Sequence, residues 1–490
     1  MRRVPYALAG FFGLLCLGVT LDAAAQEDGE LRLMNEPHSY TDVVDAFDDE
    51  DPFDINVTVG YRHEYTYGNI QREGNVGASD PNRASQNWVD VAHHTHTRNI
   101  LDLGLDVGIF RDLAVYGRLP LILSDERRLT AHAGGASLLE GPLVDNCALD
   151  SDGNCIMGSG PDGIDDLMPG VPQPPIFAAP FQSPTRSGLD YVAAGLAWSI
   201  FNHHRERELP TWILMIEGRF NLGDPLTACR GGATAQCAVW SETGGDWTRG
   251  IGTDAGETRG TNALRIETRS SWRTRYVEPF AALLFQVEWP ANAERLFLPA
   301  GSLNGIVNER PPMIGQFTGG MAIIPWENRA QFQRFAIDVR VMGKYVSEGH
   351  GYSPLFDALG TSDSEYLRQP NLEGEAGGGA NLRQVPFVGL TDMAPHAEMG
   401  AHLGVEMRAA RFVRFTLEAD LWYVAPYVIT YADACNPNFE AQDPDDPRVG
   451  TCRRGVINPH HRPVLDLPGR NFRVDEQVRL QLQVNVTGMF

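Results

Sequence analysis

Oxygen-bearing side chains alternate with other residues in one glycine-rich segment, at Asp150, Asp152 and Asn154. Carboxylate and amide oxygens at this spacing can wrap a single Ca²⁺, and Gly153 eases the turn that brings them together. Pro161 stands where a complete calcium loop would carry its bidentate glutamate. The segment predicts a calcium site, the alternative being a solvated acidic turn.

Histidines are the second kind of candidate metal ligand. His94 and His96 would share one face of a strand, and His460 is followed directly by His461. No carboxylate or cysteine completes a recognisable ligand set around them at sequence level. Capture of copper or zinc is therefore only an alternative, and we expect no cofactor apart from a calcium ion in an external loop.

Few features of the sequence support nucleophilic catalysis. The Gly-x-Ser-x-Gly pattern is absent, and the Gly-x-Gly fragments have no strand–helix context that would cradle a phosphate. His63 is the one histidine expected on an apolar strand face, and no serine motif accompanies it. We expect that the protein is not an enzyme.

The cysteines fall into close pairs once Cys16, which lies in an N-terminal apolar run, is set aside. Short spacing favours local disulfides formed in an oxidising compartment, unpaired buried thiols being the alternative. Zinc is disfavoured because no Cys-x-x-Cys spacing occurs. The expected disulfides are Cys147–Cys155, Cys229–Cys237 and Cys435–Cys452.

Charged side chains recur on the polar face of segments that alternate polar and apolar residues. If these segments surround a lumen, one wall would be basic and the other acidic, as in channels that orient polar solutes. The alternative is that acid–base pairs between strands fill a narrow barrel. The expected channel-lining residues are Arg219, Arg265, Arg269, Arg334 and Arg340 on the basic side, and Glu398, Glu406, Glu418 and Asp420 on the acidic side.

Twelve such alternating segments can be traced along the chain, with the period of a strand. Short joins alternate strictly with long joins rich in Gly, Pro, Asn and Asp. This pattern indicates tight turns at one end of a barrel and extended loops at the other. The six paired cysteines all lie in long joins, and the charge of these joins is acidic. The long joins are residues 68–96, 124–187, 221–262, 290–312, 348–393 and 426–473.

The last strand alternates apolar residues from Val474 to Val486 with polar residues such as Gln477 and Gln481, and it ends on Phe490. It resembles the closing strand of a Gram-negative outer-membrane β-barrel of the porin or transporter kind. The resemblance implies that Phe490 is a signal read by the barrel-assembly machinery, and that lipid and lipopolysaccharide surround the protein. The predicted fold is an all-β transmembrane antiparallel barrel of 12 strands, or 14 if residues 383–390 or part of 426–473 add a pair.

The N-terminal region precedes this barrel, which we place at residues 53–490. Residues 1–25 combine Arg2 and Arg3, a short apolar run and three alanines, the pattern of a cleaved signal peptide. Residues 26–52 are acidic and lack periodicity, so we expect a flexible periplasmic lead. The formal charge of −23 argues against nucleic acid as a partner.

This architecture predicts only a broad class of function. We expect an outer-membrane channel or transporter that passes small polar or amphipathic solutes by diffusion. The acidic mouth would favour neutral or cationic solutes, because clefts of one sign concentrate the opposite sign. The alternatives are a closed structural or surface-interaction barrel with disulfide-pinned binding loops, and an outer-membrane hydrolase.

Overall fold

The computed structural model describes most of the predicted barrel and part of the segment before it. The described residues are 37–46, 54–74, 87–131, 176–291 except 178, 233, 244 and 245, 307–364 except 309, and 367, 387–436, 438, 452, 456–466 and 470–490. The predicted signal peptide, the calcium candidates Asp150, Asp152 and Asn154, and the pair Cys147 and Cys155 lie outside these residues.

Twelve antiparallel strands form one closed barrel, as predicted. Each strand pairs with its neighbour in the sequence, and the last strand returns to the first, with Val59 opposite Val486. Closure leaves no unpaired strand edge, which is the condition for crossing lipid with strands. The strands are β1 (Ile55–Gly74), β2 (Asn87–Phe110), β3 (Leu113–Ala131), β4 (Tyr191–Phe201), β5 (Thr211–Asn221), β6 (Thr261–Ser271), β7 (Val277–Pro290), β8 (Ile314–Asn328), β9 (Gln333–Val346), β10 (His396–Ala410), β11 (Val413–Val424) and β12 (Phe472–Met489).

The outer face of the barrel is apolar and exposed. Leu421 is 52% exposed and Val484 is 49% exposed, although large aliphatic side chains are normally buried. A continuous belt of this kind would be unfavourable in water, so it faces lipid. Members of the belt include Val57, Val59, Leu103, Leu105, Leu196, Ile216, Leu283, Phe317, Val341, Leu403, Leu417, Leu480 and Leu482.

The two ends of the barrel differ as predicted. We call the end with the short turns and the two barrel termini the inner end, and the other the outer end. At the inner end, Ile55 and Phe490 exchange backbone hydrogen bonds of 2.8 and 2.9 Å, which closes the barrel at its last residue. The role of Phe490 as an assembly signal stays a prediction.

Three strands extend further towards the outer end than the sequence pattern predicts. The join predicted at residues 68–96 is shorter because β1 continues to Gly74 and β2 begins at Asn87. Likewise, β3 continues to Ala131, inside the predicted join 124–187. The alternation breaks in these extensions because loops cover both faces, so Ile70, Val91 and Leu129 are buried there.

A β-bulge in β12 corrects the predicted face of its first residues. The two-residue step from Tyr67 to Asn69 in β1 lies opposite the three-residue step from Val478 to Asp475 in β12, and Glu476 has φ of +48°. An extra residue of this kind reverses the alternation. Val474 is therefore buried, whereas Val478 faces lipid as predicted.

Loop segments at the outer end pack into an apolar core that we call the outer cap. Its buried side chains come from the extensions of β1, β2, β3 and β12 and from the loops between strands: Ile70, Val91, Ala92, Leu129, Ile176, Phe177, Ala179, Phe181, Leu355, Ala358, Leu359, Leu367, Phe387, Met393, Ile429, Val464, Leu465, Phe472 and Val474. The cap thus rests on the rim of the barrel, where apolar burial stabilises the loops.

The loops contain short elements of their own. Two helical turns, α1 (Phe356–Gly360) and α2 (Pro463–Asp466), belong to the cap. No helix among the described residues is long and apolar enough to cross a membrane. The short loop strands are Phe181–Gln182, Arg186–Leu189, Cys229–Arg230, Gln236–Thr243, Asp246–Gly252, Gly349–Gly351, Thr391–Met393, Tyr427–Val428, Cys435–Asn436 and Val456–Ile457. None of these short strands is inserted between two strands of the closed ring. Described residues 387–390 form no strand, so the barrel has 12 strands rather than 14.

Two of the three predicted disulfides are confirmed. Cys229 bonds to Cys237 and Cys435 bonds to Cys452. Both lie in long joins at the outer end, as expected.

Candidate functional site

Part of the segment predicted as a flexible lead lies inside the barrel. Pro37–Ala46, which we call the inner plug, occupies the inner end of the lumen and includes a short 3₁₀ turn at Ser39–Thr41. The prediction is wrong for these residues because composition alone describes a chain in water. An acidic segment can instead order itself against charged lumen walls.

Tyr40 anchors the inner plug to the lumen wall. Its ring packs against the guanidinium groups of Arg340 and Arg269, at 3.8 and 4.2 Å from the ring centroid. Arg269 also donates a hydrogen bond of 2.7 Å to the Tyr40 carbonyl, and the Tyr40 hydroxyl donates one to Glu267. Stacking and hydrogen bonding together fix this side chain in the lumen.

Buried carboxylates hold the turn of the inner plug. The backbone N–H of His38 donates a 2.7 Å hydrogen bond to Glu278, which also accepts a short hydrogen bond from the Thr41 hydroxyl. The His38 ring lies 3.5 Å from Glu406, which pairs with Arg334 at 2.7 Å. Glu278 and Glu406 are almost fully buried, so each needs these partners.

The far end of the inner plug runs against the inner turns. Val43 packs with Ala114, Tyr116 and Ile213, and Ala46 donates a backbone hydrogen bond to Arg111 in the turn between β2 and β3. At Gly108, a Cβ atom would overlap the carbonyl oxygen of Asp45. Only glycine permits this close approach between β2 and the inner plug.

Acidification is expected to release the inner plug. Burial lowers the pKa of His38 below its ordinary 6.5, and Arg334 acts in the same direction, although Glu406, Asp338 and Glu278 oppose the shift. A histidine released into water binds protons more tightly, so the seated state loses stability as pH falls through about 6.5.

The measurement is channel conductance as a function of pH. We expect conductance to rise as the pH is lowered from about 8 to about 5, and we expect His38→Gln to flatten this rise. The same pH dependence in His38→Gln would show that another group controls the transition.

A polar cavity of about 450 Å³ lies in the lumen next to the inner plug. Its wall includes Tyr40 and Val43 of the plug, so the plug forms one side of the cavity. Seven arginines and six carboxylates line it: Arg62, Arg118, Arg219, Arg265, Arg269, Arg340, Arg414, Asp42, Asp102, Asp106, Glu217, Glu267 and Glu418. The cavity is therefore close to charge balance.

The charges of the lumen pair with one another, which favours the alternative of acid–base pairs over one basic and one acidic wall. On β6, Glu267 accepts hydrogen bonds of 2.7 and 2.6 Å from Arg265 and Arg269. Arg219 pairs in the same way with Glu217 at 2.7 Å, two residues away on β5. Comparing the net charges of whole strands hides these pairings, because the two partners lie on the same strand.

The predicted lining residues separate into two groups. Arg219, Arg265, Arg269, Arg340 and Glu418 line the cavity. The others lie in ion pairs away from it: Arg334 with Glu406 at 2.7 Å, Glu398 with Lys344 and Arg479 at 2.6 and 2.7 Å, and Asp420 with His402 at 2.8 Å.

A row of polar side chains crosses the lipid face at β1, β2 and β3. The His63 Nδ1 atom lies 2.8 Å from the Asn99 Oδ1 atom, and the Asn99 amide donates a 2.7 Å hydrogen bond to the Ser124 hydroxyl. Asn99 thus separates the imidazole from the hydroxyl. A serine nucleophile is activated by a base within hydrogen-bond reach, and here the amide of Asn99 occupies that position.

The histidines singled out in the sequence do not gather into one site. His96 pairs with Asp125 at 3.0 Å, and the His461 Nδ1 atom lies 2.8 Å from the backbone carbonyl oxygen of Ala432. His460 is different, because the fold brings His350 and Asp392 to it from another loop. Residues far apart in sequence form this group, so spacing gave no signal for it.

The barrel and its belt determine the class of protein. The chain is a transmembrane β-barrel of the outer-membrane type. No model of a known protein family matches it, and no curated protein does. Its fold is similar to that of solved bacterial barrels at very low identity.

Three of these structures illustrate the likeness. The translocator domain of the autotransporter NalP from Neisseria meningitidis is 6% identical, with 90% of each chain covered and a TM-score of 0.34. A FadL homologue from Pseudomonas aeruginosa is 8% identical, with 89% of this chain and 90% of that chain covered and a TM-score of 0.27. The outer-membrane channel DcaP of Acinetobacter baumannii is 9% identical, with 90% and 100% covered and a TM-score of 0.22.

Proposed function

We propose that this protein is a channel or transporter of the bacterial outer membrane that passes small polar solutes by diffusion. The observation that carries the proposal is the polar cavity of about 450 Å³ next to the inner plug. A barrel that only presents loops can fill its lumen with side chains. Cavities of a few hundred Å³ are the size that small ligands occupy.

The charge balance of the cavity points to its solutes. Seven arginines oppose six carboxylates, and pairs such as Arg118 with Asp106 at 2.6 Å offer adjacent donors and acceptors. Uncharged and zwitterionic solutes can bond both partners without leaving a buried charge unpaired. The preference for cations that the acidic mouth predicts would therefore be weak at the cavity itself.

The inner plug is suited to act as the gate. Its contacts include one aromatic side chain, a few apolar contacts at Val43, a set of hydrogen bonds to wall residues and an ion pair of 3.0 Å between Asp45 and Arg205. Small packed areas of this kind open at lower cost than a barrel strand. The gate can therefore move while the hydrogen-bonded ring stays closed.

The purified full chain in planar lipid bilayers tests the proposal. We expect discrete conductance steps, and faster swelling of loaded liposomes in an uncharged sugar or an amino acid than in a sugar phosphate. If neither the wild type nor a variant with a displaced inner plug conducts, the proposal is overturned.

A surface-interaction barrel is the second candidate, and the outer cap favours it. The cap combines an apolar core, two disulfides and a buried pair between Arg186 and Asp357 at 2.5 Å. A rigid cap is a good platform for a binding partner. Absence of conductance with an intact, protected cap would favour this candidate.

The remaining expectations are part of the same proposal. We propose that the protein is not an enzyme, that lipid and lipopolysaccharide surround its belt, and that the assembly machinery reads Phe490. A calcium ion at Asp150, Asp152 and Asn154 stays a sequence-based hypothesis.

A further inference from the structure

Three side chains from two loops meet inside the outer cap. His350 and Asp392 lie directly opposite each other in the two-stranded ladder of Gly349–Gly351 and Thr391–Met393. His460 arrives from the segment after Val456–Ile457 and stacks on His350, with ring centroids 4.2 Å apart. One potential ligand atom from each residue lies within 4.8 Å of those of the other two.

All three side chains are buried, and one has polar atoms that the cap does not satisfy. His350 is 4% exposed, Asp392 is 1% exposed and His460 is 9% exposed. Neither ring nitrogen of His460 has a hydrogen-bond partner among the described residues. Buried polar atoms are normally paired, so two orphaned nitrogens on one ring need an explanation.

We propose that His350, Asp392 and His460 bind a divalent transition-metal ion of the zinc class. Two imidazoles and one carboxylate are a ligand set that zinc uses, with metal–ligand bonds of about 2.0–2.2 Å. Such bonds place ligand atoms about 3.3 Å apart, so a small inward shift of side chains completes the set. The ion would satisfy a His460 nitrogen that otherwise stays unbonded.

The surrounding residues hold the ligands in place. The Asp392 carboxylate lies 2.5 Å from the His350 Nδ1 atom and accepts a hydrogen bond from Asn308 at 3.2 Å. A hydrogen-bond partner such as Asn308 fixes the orientation of a ligating carboxylate. The backbone N–H of His460 donates to Asn458 at 3.1 Å, which sets the turn that presents the ring.

One positively charged side chain, that of Arg462, lies near the proposed site. Arg462 is buried, and its guanidinium donates to the carbonyls of Pro459 and His461 at 3.1 and 3.2 Å. The carboxyl group of Asp466 interacts with that charge, and Asp392 supplies a further carboxylate at the proposed site. Asp392 is therefore the carboxylate that offsets positive charge at the proposed site.

The position of the ligands indicates a structural role for the site, as a crosslink between two loops. His350 and Asp392 belong to the join between β9 and β10, whereas His460 belongs to the join between β11 and β12. An ion shared by the two joins would crosslink them, as the disulfide Cys435–Cys452 crosslinks the second join internally. Metal binding to the folded state alone adds stability to the elements that it joins.

Zinc titration of the chelator-treated full chain tests the site. We expect one Zn²⁺ per chain by calorimetry, and slower amide hydrogen exchange at residues 349–351 and 456–461 after zinc addition. His460→Ala and Asp392→Asn should each weaken binding by about 100-fold or more, since even partners of ligands contribute about 10–100-fold.

Controls separate this site from zinc bound at the surface. His93→Ala removes a histidine outside the cap and should leave binding and protection unchanged, and Asp392→Asn keeps the shape of the side chain if His460→Ala fails to fold. Binding that survives both ligand changes, or that leaves exchange at the two segments unaltered, would overturn the proposal.

Discussion

Replacing Gly108 by alanine is expected to raise the conductance of the barrel several-fold. The added Cβ would overlap the carbonyl oxygen of Asp45, a clash with backbone that no rotation of a side chain can relieve. Overpacking costs about 1–3 kcal/mol, which is about 5- to 150-fold in the ratio of released to seated plug. Single-channel recording measures the change directly.

A second glycine offers the matched control. Gly343 lies on β9, and a Cβ atom there would have no heavy atom of another described residue within 4 Å, its two chain neighbours apart. Gly343→Ala should therefore conduct like the wild type and fold with the same yield. Equal conductance of the Gly108 and Gly343 variants would mean that the inner plug is not the gate.

Replacing Asp357 by alanine is expected to loosen the outer cap by about 3–5 kcal/mol, because it leaves a buried arginine without its counter-charge. Asp357 pairs with Arg186 at 2.5 Å and accepts a backbone hydrogen bond from Cys229 at 3.0 Å. Arg186 also donates to the carbonyls of Thr227 and Ala255. One carboxylate thus joins three loops.

Hydrogen exchange reports this change locally. Amide protection of α1 and of residues 227–230 should fall by about 100-fold or more, while the barrel strands keep theirs. Arg128→Ala is the control, because Arg128 pairs with Glu126 at 2.9 Å while 54% exposed and should cost less than about 1 kcal/mol. Equal losses in the two variants would argue against a special role of the buried pair.

The strand pattern was readable from the sequence because lipid imposes it. Each barrel strand must present apolar side chains outward, so Leu480, Leu482 and Val484 alternate with polar residues, and the joins differ in length between the two ends. The bulge at Glu476 was not readable, because it depends on how β1 and β12 align. Alternation therefore predicts the lipid-facing part of a strand better than its extension into the loops.

The inner plug escaped prediction for a physical reason. Residues 26–52 hold too few apolar side chains to build a core of their own, which is what composition measures. Tyr40 and Val43 instead use the wall of the barrel as their core. The only signal in the sequence is this aromatic and aliphatic pair within an acidic stretch.

The candidate sites could likewise be predicted from the sequence only in part. The inward direction of Arg265 and Arg269 follows from strand alternation, but their neutralisation by Glu267 depends on side-chain conformation. The group of His350, Asp392 and His460 depends on how two loops fold over the rim. The alternation of polar and apolar residues predicts neither the ion pairs of Glu267 nor the meeting of the two loops.

The pairing of charges within single strands has a consequence for how the barrel is built. Arg265, Glu267 and Arg269 belong to one strand, so β6 carries one carboxylate that both of its arginines share. Glu267 therefore neutralises part of the charge of β6 before neighbouring strands arrive. Pairs such as Glu398 on β10 with Arg479 on β12 form only once both strands have joined the barrel, so these strands depend on each other during assembly more than β6 does.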